Sequence, residues 1–104
     1  MRRRVPVRAA EEFPGRGILE AAWSRWEAGD RSRAVVDALV EALTAQLTAA
    51  PHWHTSHWYV LRLAAGEPDE ATGGRLSMTG AEVGTPTWRA AREVVERVRG
   101  VMWS

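Results

Sequence analysis

Apolar residues recur at helical spacing along much of this chain. Leu19, Ala22, Trp23 and Trp26 lie three or four positions apart, while Glu20, Ser24, Arg25 and Glu27 take the other side, which predicts a helix from about Gly17 to Ala28. Gly29 suits a left-handed stop and Asp30 the next N-cap. From about Arg31 to Ala50, Val36, Leu39, Val40, Leu43 and Leu47 share one face and Asp37, Glu41, Thr44 and Thr48 the opposite one, so a second helix follows. The link between the two is so short that they must fold back as an antiparallel hairpin with their apolar stripes facing.

Outside the hairpin the pattern is less regular. Arg3-Arg4-Val5-Pro6-Val7-Arg8 alternates basic and apolar positions, as a short edge strand does. Between Ser56 and Ala65, Trp58, Tyr59, Val60, Leu61 and Leu63 favour a strand by residue type, although Ser56 and Gly66 would also frame a short helix. The strand is the reading adopted. Residues 66–74 are a loop by every local signal, and Arg75-Leu76-Ser77-Met78 returns as a second strand. Thr85 followed by Pro86 is a cap and a first helical residue. They open a last helix from about Pro86 to Arg99, with Trp88, Ala91, Val95, Val98 and Met102 along one side and Gly100 as its stop. The expected fold is a single helix-rich α+β domain over residues 1–104, a helical hairpin with a small antiparallel sheet and a C-terminal helix. An all-α fold is the alternative.

Three local resemblances accompany this reading. Trp26-Glu27-Ala28-Gly29-Asp30 with Ala34-Val35-Val36 resembles the inter-helix turn of tetratricopeptide-type repeats, but one hairpin is present where arrays stack several. The stretch from Leu76 through Gly84-Thr85-Pro86 to Arg89 resembles the cadence of a helix-turn-helix, with room for little more than one turn of first helix between Thr79 and Gly84. The element order resembles that of one class of KH domain, without its Gly-x-x-Gly clamp, since Gly29 is followed by Asp30, Arg31 and Ser32.

Composition narrows the chemistry. All fourteen basic residues are arginine and cysteine is absent, so lysine bases, Schiff bases, thiolate nucleophiles, disulfides and cysteine-ligated zinc are excluded. No apolar run reaches membrane-span length, and no signal-peptide stretch follows Arg2-Arg3-Arg4, so a cytoplasmic, membrane-independent protein is expected. The net charge is +1, with basic ends and an acidic middle.

The densest chemistry is His52-Trp53-His54-Thr55-Ser56-His57-Trp58-Tyr59, directly after Pro51. A divalent metal such as zinc is the cofactor that His52, His54 and His57 would take, otherwise none is expected. Regular backbone presents at most two of the three together: His52 with His54 on a strand, His54 with His57 on a helix. A third ligand would come from a bend or from Glu67, Asp69 and Glu70. Ser56 beside His57 lacks the elbow and the partner carboxylate of a hydrolase, and no phosphate-binding glycine loop is present, so no catalytic residue is assigned. For nucleic acid, Arg89 and Arg92 on the last helix would face a groove, with Arg2, Arg3 and Arg4 as an arm on phosphate. Against this, Arg89 with Glu93, Arg92 with Glu96 and Glu93 with Arg97 stand four apart, as on a solvated helix face.

Tryptophan decides between these readings. Six indoles stand in 104 residues, each with on the order of 200 Å² to bury. A core this small has little room for all of them. Trp23, Trp26 and Trp88 fall on inner stripes, whereas Trp53, Trp58, Trp103 and the neighbouring Met102 are the expected contact residues. The expectation is a non-enzymatic accessory or assembly protein acting through an aromatic protein–protein surface, with itself (a homo-oligomer) or another protein as partner. DNA binding and a histidine metal site are the alternatives.

Overall fold

The computed structural model describes residues 13–49, 56–67 and 82–103. The described residues form four helices: α1 (Arg16–Glu27), α2 (Arg33–Ala49), α3 (Ser56–Ala64) and α4 (Pro86–Trp103). Among the described residues 79% are helical and none is in a strand, so the fold is all-α and the expected sheet is not there. The edge strand expected at residues 3–8 and the return strand at 75–78 lie outside the described residues.

The hairpin forms as its periodicity dictates. Gly29, at φ 100°, takes the left-handed position that L side chains rarely adopt. Its N–H donates to Trp26 O (3.0 Å) and that of Asp30 to Arg25 O (2.9 Å), closing the end of α1. The next helix starts later than expected because Asp30 builds the turn instead of the cap. Its Oδ1 accepts from Ser32 N–H (2.9 Å), and Ser32 takes the cap position, its carbonyl accepting from Val36 N–H (3.0 Å). Arg31 locks this corner: its Nη1 donates to Trp26 O (2.5 Å), its Nε to Thr87 Oγ1 on α4 (3.0 Å), and its guanidinium lies 3.6 Å over the Trp26 ring.

The segment expected as a strand is α3, for a packing reason. Trp58, Leu61 and Ala64–Ala65 are buried while Tyr59 and Val60 are exposed. That repeat of three to four residues is helical, and it puts one continuous apolar stripe on α4 where period-two alternation would have split it. Gly66, at φ 89°, ends the helix, with Gly66 N–H donating to Leu63 O (2.9 Å) and Glu67 N–H to Arg62 O (3.1 Å).

Thr85 and Pro86 start α4 as expected, Thr85 Oγ1 accepting from Trp88 N–H (3.2 Å). The helix does not stop at Gly100 but runs on to Trp103. Glycine inside a helix costs about 1 kcal/mol relative to alanine. Met102, packed against the core and receiving the Thr48 hydroxyl at its sulfur (3.4 Å), offsets that cost.

α2 and α4 run in the same sense. Arg33 pairs with Glu93 and Asp37 with Arg97, each sixty positions on, while Thr48 near the end of α2 reaches Met102 near the end of α4. Between them Leu39, Leu43, Val94 and Val98 are fully buried, and Leu61 of α3 is fully buried in the same core. Each such side chain contributes about 1.5–3 kcal/mol by leaving water.

Candidate functional site

The aromatic-histidine junction is built on α1. Arg31 covers Trp26, Trp26 lies nearly parallel to Trp23 at 6.3 Å between centroids, and Trp23 meets the ring of His57 edge-on at 4.7 Å. This ladder ties the start of α3 to the hairpin. Burial holds the His57 imidazole below its ordinary pKa, against the opposing fields of Glu27 and Glu20. His57 is therefore a part-buried ring packed on an indole, its charged form disfavoured by burial. His52, Trp53 and His54 lie outside the described residues, and among those described no group of three or more His, Asp or Glu is placed to hold a metal ion.

The arginines of α4 are mostly engaged within the chain. Arg33, Asp37, Glu93 and Arg97 form a four-charge ring across the α2–α4 seam: Glu93 binds Arg33 through both oxygens and Arg97 at 3.0 Å, and Arg97 reaches Asp37 at 2.8 Å. Arg33 and then Arg97 hold the Glu93 carboxyl below its usual value, and Arg97 with Arg33 does the same for Asp37. Arg92 pairs with Glu96 (2.7 Å) and lies 5.0 Å from the centre of the Trp88 ring. Arg99 binds Glu67, which also accepts from Arg62 (2.9 Å); burial pushes the Glu67 carboxyl up, but the two arginines outweigh it and leave it lowered. Arg89 is exposed, and its side chain makes no hydrogen bond or ion pair among the described residues. Of the five arginines proposed for nucleic acid, Arg2, Arg3 and Arg4 lie outside the described residues, Arg92 is paired and Arg89 alone is unengaged. The short first helix of the helix-turn-helix reading, expected between Thr79 and Gly84, lies outside the described residues over 79–81; the described part, Glu82–Thr85, is a turn closed by Thr85 N–H on Glu82 O (3.2 Å).

The residues expected on a contact surface separate sharply. Trp58 is 6% exposed and belongs to the core, a correction that follows from α3 being helical, since a helix aligns it with Leu61. Met102 is half-buried against the core. Trp103 is 56% exposed and Val101 64%, at the end of a helix whose other face is locked in the interior. Trp88 is half-buried, its indole against Gly66, where an added Cβ would stand 3.3 Å from Nε1.

An open depression of about 370 Å³ runs along the solvent face of α4, lined by Trp88, Arg89, Arg92, Glu93, Glu96 and Arg97. Its walls carry both charge signs and an aromatic edge, the composition of an interface rim more than of a small-molecule pocket. Sequence reasoning missed Arg31 and gave Glu67 only as a possible metal ligand, not as the partner of Arg62 and Arg99; both act at corners where distant helices meet, which local spacing does not reveal.

No helix among the described residues is long and apolar enough to cross a membrane. Comparison with protein families, with curated proteins and with solved structures returns no match for this chain.

Proposed function

We propose that this protein is a non-enzymatic assembly protein that associates with another protein chain through the aromatic outer end of α4. The observation that carries this reading is Trp103: the last turn of α4 holds it 56% exposed, while Trp26 and Trp58 are sealed in the core. An indole left in water on an ordered helix is the usual anchor of a protein contact, because it buries a large area with few rotors to freeze. The ion pairing of Arg92, Arg97 and Arg99 argues in the same direction, since cations already neutralised by glutamates of the same chain attract phosphate weakly.

The test is light scattering on a size-exclusion peak across a hundredfold range of concentration. The reading expects a mass that rises with concentration and a Trp103→Ala variant that stays at protomer mass. A constant protomer mass for both chains contradicts it. Retention on duplex DNA that weakens with salt and with Arg92→Ala would put nucleic-acid binding in its place, and a chelator-sensitive Tm abolished by His54→Ala would put a metal site there.

A further inference from the structure

α4 is anchored unequally along its length. Up to Arg99 the anchors are many: Ala91, Val94, Val95 and Val98 are fully buried, and Arg99 binds Glu67 (2.9 Å) with its guanidinium 5.9 Å from the centre of the Trp58 ring. Beyond it, Gly100 has nothing within 4 Å of the place a Cβ would take, and Val101 and Trp103 are exposed. Met102 is the residue of this last turn that packs on the core, and its sulfur stands 3.4 Å from the Thr48 hydroxyl on α2. One thioether therefore holds the turn that presents Trp103, next to a glycine that favours the helix by about 1 kcal/mol less than alanine.

A thioether is apolar enough to pack and is oxidised where solvent reaches it. Met102 is only partly buried. A peroxide transfers one oxygen atom to it: the sulfur donates an electron pair, the O–O bond breaks, an S–O bond forms, and the peroxide leaves as water or an alcohol. The resulting sulfoxide is polar and larger by that oxygen. Kept in place, it loses its hydration at the edge of the core and crowds Thr48, whose hydroxyl already donates to Thr44 O at 2.7 Å. Turned to water, it leaves residues 100–103 with no side chain on the core.

We infer that Met102 is an oxidation-sensitive latch: as a thioether it docks the last turn of α4 on α2, and as a sulfoxide it releases residues 100–103. Gly100 is the hinge, because the helix is anchored up to Arg99 and held by Met102 alone beyond it. The consequence for Trp103 deepens the assembly reading and rests on it. A released indole must be ordered again on binding, so the contact weakens on oxidation and returns on reduction.

The test treats the whole chain with dilute hydrogen peroxide, with peptide masses reporting oxidation at Met102 apart from Met1 and Met78. Once Met102 is oxidised, the amides of residues 100–103 are expected to exchange at the rate of open chain, while those of Val94 and Val98 keep their protection. Light scattering is expected to fall to protomer mass, and methionine sulfoxide reductases with a dithiol to restore both readings. Met102→Leu packs but cannot take the oxygen, and is expected to keep its last turn through the same treatment. Met102→Gln, polar from the start, is expected to lose it without peroxide. Unchanged exchange at residues 100–103 with Met102 fully oxidised overturns the inference, as does a Met102 that resists peroxide in the folded chain. Protomer mass both before and after oxidation, with the exchange altered, overturns the assembly reading and leaves the latch standing.

Discussion

The two faces of α4 differ in what holds each residue in place. Ala90, Ala91, Val94, Val95 and Val98 face inward and are buried, fixed by α2 on one side and α3 on the other. Arg92, Glu96 and Trp103 face outward, and Trp103 is in water while the other indole of the helix, Trp88, is half-buried against Gly66. In a helix that only closes a core, the largest apolar side chains belong inside. Here small valines and alanines fill the interior, Trp88 is half-buried against Gly66 and Trp103 stands outside, the exposure on which the proposed contact rests.

The contrast is broken most strongly from the inside. Val94→Ala removes buried methyl groups from the α2–α4 seam and is expected to lower stability by about 2 kcal/mol, read as a shifted denaturant midpoint with unchanged slope. Gly66→Ala comes next. It forces a left-handed residue to carry a Cβ and presses that Cβ toward the Trp88 indole, for a loss of about 1–2 kcal/mol. Thr85→Ala removes the cap of α4 and is expected to cost about 1 kcal/mol, seen as faster amide exchange in its first turn.

Acid acts between the faces, at the charged seam. Glu93 and Asp37 have pKa values below their unfolded ones, so their contribution is present above the ordinary carboxylate range and is lost as pH falls through the folded values. A Glu93→Gln/Asp37→Asn variant is therefore expected to lose less stability than the parent between pH 5 and pH 2.5. The smallest effect on folding belongs to the outer face. Trp103→Ala should change protomer stability by less than about 0.5 kcal/mol while removing the concentration dependence of mass.

Part of this was legible before the fold was known. The hairpin could be read because Val36, Leu39, Val40, Leu43 and Leu47 keep helical spacing for about three turns and Gly29 has one stop to make. The start of α4 was legible in Thr85-Pro86. Residues 56–65 were misread because Trp, Tyr and Val favour strands by type, and in so short a segment the tertiary demand to lay Trp58 and Leu61 on α4 outweighs that preference. Trp58 was misassigned with it. The continuation through Gly100 depends on Met102 finding the core and Thr48, a contact between elements distant in sequence. At the candidate site, the exposure of Trp103 agrees with the count of indoles, whereas the burial of Trp58 needed α3 to pack on α4 as a helix.

The most direct test of the outer face is a dilution series on the 15N-labelled chain, following the six indole N–H resonances. The account predicts that the Trp103 signal shifts with concentration while those of Trp26 and Trp58 hold still. Indole signals that all stay fixed from the most dilute to the most concentrated sample would contradict it.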